Sequence, residues 1–221
     1  MPSLLTMRNS ANPAHIARRA LCAATLVMLP SLGAATPLQI TIVDARNQPL
    51  GDAVVSIDVK GVSPTAAAGT QAELAQRNRS FAPSVLPIQT GTSVRFPNLD
   101  TVRHHIYSFS PAHPFEIKLY AGTPASPVTF DKAGTAVLGC NIHDRMTGFI
   151  HVVNTPYFAK TSASGVAQLD VPAGDHTIQV WHPSLADTRP PMRQPLKVSV
   201  SGAQAVTLTL AATGASTPPG K

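Results

Sequence analysis

Apolar residues in this chain alternate with polar ones in short runs that turn-forming residues keep interrupting, and that pattern leaves room for little besides β-structure. Ser93-Val-Arg-Phe96 alternates as a half-buried strand does. Leu38–Val43 (LQITIV), Ala53–Val59 (AVVSIDV), Arg103–Ser110 (RHHIYSFS), Val128–Phe130, Ala136–Leu138 and Gly148–Val153 read as strands, and Phe81–Ile88 as extended chain. Val166–Val171, His176–Trp181, Leu196–Val200 and Ala205–Leu210 continue the series. Between them stand Thr90-Gly-Thr92, Pro97-Asn-Leu-Asp100, Thr161-Ser-Ala-Ser-Gly165 and Pro172-Ala-Gly174, which punctuate rather than extend an element. The 21 prolines and 14 glycines disfavour helices over the same stretches. Strands about ten residues apart with turns between them predict an all-β sandwich. Leu38–Val43 and Ala53–Val59 flank a turn-like Asp44–Gly51 and are expected to pair as a hairpin. Residues 61–80 are small and polar; they read as a long, partly mobile connection with at most a short helical turn in its middle.

The formal net charge of +6 is unevenly placed. Arg8, Arg18 and Arg19 lie in the first 35 residues, which hold no acid. Arg18-Arg19 end a basic region, Ala20–Leu32 (ALCAATLVMLPSL) is apolar, and Gly33-Ala34-Ala35 offers small residues for cleavage, the pattern of a secretory leader. The apolar run falls short of the ~20 residues that a spanning helix needs. Residues 1–35 are therefore expected to be a cleavable signal peptide that sends the protein to the periplasm and leaves no membrane attachment. Residues 211–221 lack large apolar side chains and are expected to be disordered. No basic stripe tracks phosphates, so a nucleic-acid partner is not expected. No Ser-His-Asp spacing, Gly-rich phosphate loop or pair of acids stands out, and nothing argues for an enzyme.

Of the two cysteines, Cys22 lies in the leader, so cleavage leaves Cys140 alone. Exported proteins pair their cysteines in an oxidising compartment, and a solitary thiol needs a reason. The residues after it supply one: Cys140-Asn-Ile-His143-Asp-Arg-Met146 places a thiol, an imidazole and a thioether on a loop between two strands. Thiolate and thioether are soft donors that favour Cu(I), and imidazole suits both copper states. A Cys with two His and a weak axial Met is the blue-copper donor set; zinc gains little from Met. The remaining donor must be a histidine from elsewhere, and His104-His105 starts a strand upstream. Successive strand residues face opposite ways, so one of the pair faces inward, but alternation does not choose which. His113, His151, His176 and His182 read as structural, and Trp181 and Tyr107 as core or interface residues.

Phe81-Ala-Pro83, Gly91-Thr-Ser-Val94-Arg-Phe96-Pro-Asn98, His104-His-Ile-Tyr-Ser108 and Cys140 to Gly148 together resemble cupredoxins of the plastocyanin, pseudoazurin and amicyanin group. The short Cys-x2-His-x2-Met loop is most similar to amicyanin, and the whole chain is similar to the cupredoxin-like methylamine utilization proteins. The resemblance implies a Greek-key β-sandwich holding one type 1 copper ion through His104, Cys140, His143 and Met146. It puts His105 where the family has an Asn that tethers the two ligand loops, with Asn98 as a further support. It implies a one-electron carrier with a transient redox protein as partner. His143 would be the solvent-side edge and Ile142 part of an apolar docking patch, flanked by Asp144 and Arg145. Two rivals stand beside it: a periplasmic copper-binding or chaperone protein, and a structural β-sandwich module without metal.

Val43 to Val55 and Thr161 to Val180 resemble the two halves of a carboxypeptidase-regulatory-like sandwich. The expected division is a leader at 1–35, a small β module from 36–60 and 156–210, a copper domain at 61–155 between its halves, and a tail at 211–221. The alternative makes 38–59 the first strands of the copper sheet. The two differ in whether 38–43 pairs with 166–182 or with 93–110.

Overall fold

A computed structural model of the chain describes residues 35–143, 145–185, 189–200 and 202–211. Apart from Ala35 and Ala211, the expected leader and tail lie outside the described residues, as does Asp144. The described residues are almost entirely β. In chain order the strands are β1 (Ala35–Val43), β2 (Val54–Asp58), β3 (Gln71–Glu73), β4 (Ala75–Arg77), β5 (Ser80–Ala82), β6 (Val85–Gln89), β7 (Thr92–Arg95), β8 (His104–Ser108) and β9 (Phe115–Tyr120). They continue with β10 (Val128–Phe130), β11 (Gly134–Gly139), β12 (Thr147–Val153), β13 (Phe158–Lys160), β14 (Val166–Pro172), β15 (Gly174–Trp181), β16 (Met192–Val198) and β17 (Gln204–Thr209). No helix among the described residues is long and apolar enough to cross a membrane.

The two ends of the chain share sheets. β1 runs antiparallel to β14, with Leu38 opposite Leu169, and parallel to β17, with Leu38 opposite Gln204. A second sheet has the order β13-β2-β15-β16. Leu38, Ile40 and Ile42 from the first sheet and Val55, Ile57, Ile178 and Val180 from the second are buried in one apolar core. Strand β1 makes no pairing with 93–110.

The middle of the chain encloses another core. A five-stranded sheet of order β6-β12-β11-β8-β9 stands with a three-stranded sheet, β10-β7-β3, and the β4–β5 ribbon. Ile106, Leu138 and Ile150 of the large sheet meet Leu74, Phe81, Val94, Phe96 and Phe130, all buried.

Two expectations need correction. β1 and β2 do not form a hairpin: they belong to different sheets. The turn between them is built by Asp44, whose Oδ1 accepts from the Arg46 and Gln48 backbone N–H groups, and it closes with Leu50 N donating to Ile42 O. It leads the chain across the core, so that the apolar faces of β1 and β2 oppose each other, which buries both where a flat hairpin would bury one side only. Nor are residues 61–80 a featureless connection. β3 pairs with β7, β4 pairs with β5, and no helix forms. These strands are short and mostly polar because they line an edge, where Leu74, buried with Ala75 and Gln76, anchors the segment.

Strand β12 serves both cores. Ile150 and Val152 turn into the middle core, while Phe149 and Val153 turn to the terminal one. On the terminal side His151 stacks flat on Trp181, ring centroids 4.6 Å apart and planes 9° from parallel, and its Nδ1 pairs with Thr135 Oγ1 at 2.9 Å. Burial pushes the His151 pKa down from 6.5 to about 4. Between those values the unfolded chain holds a proton that the folded chain does not. This contribution to stability is therefore complete above the unfolded value and is lost as the pH falls toward the folded one. The loss is expected to reach about 3 kcal/mol for this group. His113 and His182 are displaced the same way by burial. Urea unfolding at pH 7 and pH 4.5 checks it: His151→Phe, which keeps a ring on Trp181, should lose markedly less stability on acidification than wild type. An unchanged pH profile would contradict the assignment.

Candidate metal centre

The donors come from two places on the large sheet. His104 opens β8, and Cys140 follows β11 at the start of the loop that ends in β12. That loop is tight: Met146 N donates to His143 O at 3.0 Å, so His143 and Met146 close one turn. Cys140 and Met146 are both buried and pack in the middle core beside Leu138. His143 is half-buried, at the solvent edge.

His104 Nδ1 and His143 Nδ1 each lie 3.8 Å from Cys140 Sγ. The three donor atoms all lie within 4.8 Å of one another, and the two imidazole centroids are 5.0 Å apart. A sulfur and a nitrogen that share one ion at bond lengths of about 2.0–2.3 Å, about 120° apart, are roughly 3.7 Å from each other. The observed spacing is thus wide for a direct hydrogen bond and right for a shared metal. The site also fixes which histidine nitrogen is free. His104 Nε2–H donates to Asp100 Oδ2 at 2.7 Å, which leaves the Nδ1 lone pair facing Cys140. Asp100 is itself held by the backbone N–H groups of Arg79 and Asn78 at 2.9 and 2.7 Å. The Arg79 N–H, and then the His104 bond, keep its carboxyl below the usual carboxylate range against the opposing effect of burial.

The tautomer-fixed histidine decides the type, because the Cys140 sulfur and two imidazole Nδ1 atoms converge on one point, with the buried Met146 on the same loop. The donor set is that of a type 1 copper site. His104, Cys140, His143 and Met146 form the cluster typical of type 1 copper. A copper ion fits this donor set: soft sulfur from Cys140 and Met146, imidazole from the two histidines, and no acid among them.

No family model and no curated protein matches the sequence. Among solved structures the chain is similar to a Cu-containing nitrite reductase from Thermus scotoductus SA-01, at 28% identity and TM-score 0.35, over 41% of this chain and 26% of that one. This chain therefore spans about a quarter of that enzyme's length. A variant of amicyanin overlaps 44% of this chain and 98% of its own at 18% identity and TM-score 0.34. Native pseudoazurin from Hyphomicrobium denitrificans overlaps 38% and 75% at 20% identity and TM-score 0.33. These overlaps are partial, and the reading of the site rests on the donor geometry.

The other residues singled out in the sequence take different places. His105 faces away from the cluster: its Nε2–H donates to Glu116 Oε1 at 2.9 Å, which ties β8 to β9, not to the Cys140 loop as the cupredoxin resemblance implied. The reason is the strand alternation itself, which sends His105 to the opposite face from His104. Asn98 braces the turn before His104, its Nδ2 donating to Val102 O at 2.8 Å and Tyr120 O at 3.0 Å. Asp100 was not foreseen, and its only sequence signal is an acid four positions before a histidine in a turn. Two exposed apolar residues of the turn before His104, Leu99 and Val102, also escaped the sequence reading.

Proposed function

We propose that this protein is an exported one-electron carrier using one type 1 copper ion. The observation that carries the reading is the convergence of His104 Nδ1, His143 Nδ1 and Cys140 Sγ, with Asp100 holding His104 in the binding tautomer. Bound there, copper supplies a one-electron couple, and no substrate need be transformed. Cys140 binds as thiolate, because a coordinating thiol is deprotonated outright. Met146, buried on the same loop, would be the weak axial donor that tunes the potential. Both donor segments are anchored in the five-stranded sheet, so the donors stay in place while the charge changes.

Half-buried His143 is the edge through which the electron enters and leaves, since His104, Cys140 and Met146 are buried. The two donor-bearing segments expose apolar side chains: Ile142 next to His143 on one, Leu99 and Val102 in the turn before His104 on the other, each 43–51% exposed. Such a rim suits a brief encounter with a redox protein, an interface of small area. The leader-like residues 1–35 support export to the periplasm. The sheet pairing of 35–41 with 166–172 supports a cupredoxin domain inserted in a small module of the carboxypeptidase-regulatory type.

Adding Cu(II) to the purified mature protein tests the donor set. His104→Ala is expected to lose the blue thiolate-to-copper band or weaken it more than tenfold, whereas His105→Ala keeps it. The reverse result would assign the wrong histidine.

A further inference from the structure

Asp100 holds His104 in place, and a neutral acceptor would do that equally well. A carboxylate stands there instead, with its side chain largely covered and the His104 side chain against it wholly buried. Among the described residues no lysine or arginine forms an ion pair with Asp100. A covered charge is ordinarily matched by an opposite charge or by a metal. The protein supplies no side-chain cation here, and the one side chain that bonds the carboxylate is the histidine whose other nitrogen faces the donor cluster.

The fold builds a seat for this anion. Strands β4 and β5 are joined by two residues, Asn78 and Arg79, both left-handed, with φ of 53° and 55°. A two-residue hairpin turn of this hand prefers Asn-Gly, so Arg79 stands where glycine would be easiest. Successive backbone N–H groups in such a turn make a concavity that suits an anion. Asn78 N donates to Asp100 Oδ1 at 2.7 Å and Arg79 N to Oδ2 at 2.9 Å. His104 Nε2–H donates to the same Oδ2 at 2.7 Å, and the Asp100 N–H is held by Asn98 Oδ1 at 3.0 Å. Both oxygens accept, as an ionised carboxylate does. The charge is thus fixed one imidazole ring away from the metal position.

We propose that Asp100 is the countercharge of the oxidised copper centre and that its negative charge, acting through His104, sets the reduction potential. The inference rests on the copper reading above. Cu(II) with the Cys140 thiolate carries one net positive charge, since the imidazoles and the thioether are neutral, and Asp100 cancels it. When a redox partner delivers one electron, Cu(I) and the thiolate cancel each other and the Asp100 charge is left unmatched. Asp100 therefore favours Cu(II) and lowers the potential. The hydrogen bond acts in the same direction, because a carboxylate on Nε2–H makes the imidazole a stronger donor. The carboxylate lies near the surface, so solvent discounts its effect to about tenfold in the Cu(II)-to-Cu(I) preference.

The test compares copper-loaded wild type with Asp100→Asn, which keeps an oxygen for the His104 N–H and removes the charge, and with Asp100→Ser, which removes the charge and withdraws the oxygen. Copper stoichiometry and midpoint potential are read for each. Both variants are expected to keep one copper per chain and to favour Cu(I) about tenfold more than wild type, a rise of about 59 mV for one electron. A shift in Asp100→Ser alone, with Asp100→Asn at the wild-type potential, would show that the residue acts only as a hydrogen-bond acceptor and would overturn the proposal. Two variants at the wild-type potential overturn it as well, and in both cases the carrier reading stands. A wild-type protein that takes up no copper overturns both readings. Should the variants release copper during voltammetry, competition titrations with Cu(II) and with Cu(I) read the same ratio: the affinity for Cu(II) should fall about tenfold more than that for Cu(I), and equal losses sink the idea.

Discussion

Replacing Cys140 with Ser is expected to abolish the intense visible band that Cu(II) addition should give the wild-type protein. The band requires a thiolate, and Cys140 is the only free cysteine among the described residues. Serine is nearly isosteric with cysteine, so the fold should hold within about 1–2 kcal/mol. A hydroxyl is a poor ligand for Cu(I), so the variant should also lose its metal on reduction. Visible spectra and copper analysis of both proteins check this. A band that survives the substitution would place the chromophore elsewhere.

The largest stability effect is expected at Trp181. It is 1% exposed at the end of β15, stacked on His151 and 5.7 Å from Phe149, both on β12. Its Nε1 has no partner, so truncation removes packing and no hydrogen bond. Trp181→Ala is expected to cost about 3–5 kcal/mol. Because β12 lines both cores and begins directly after Met146, the cost should reach the copper centre: far-UV dichroism and the blue band should vanish together at a lower urea midpoint. This is the only tryptophan, so intrinsic fluorescence cannot follow the variant. A cost below about 1 kcal/mol, or a band lost in a separate transition, would show that the two cores do not support each other.

How much of this was legible in the chain depends on the element. β7, β11 and β12 are short runs of strand-forming residues closed at or near a Gly, Pro or Asn, and β8 carries the β-forming Ile106 and Tyr107, so their places could be read directly. β9 was missed because Phe115–Tyr120 is an edge strand in which no residue is fully buried, which blurs the two-residue period. β3 and β4 were missed because their inward residues include an alanine and a glutamine, not the apolar side chains that mark a strand. The loop donors could be read because Cys140, His143 and Met146 are close in sequence. The choice between His104 and His105 could not, because alternation states only that they face opposite ways. Asp100 settles it in space, through a turn whose geometry depends on Asn78, Arg79 and Asn98 from outside the motif.

The central claim is that the copper cycles in place, and voltammetry of the copper-loaded mature protein tests it most directly. A carrier built on buried donors should give one reversible one-electron wave, with the blue colour bleached and restored over repeated cycles and copper still at one per chain. An irreversible wave with copper released on reduction would contradict the account and make the protein a copper donor instead.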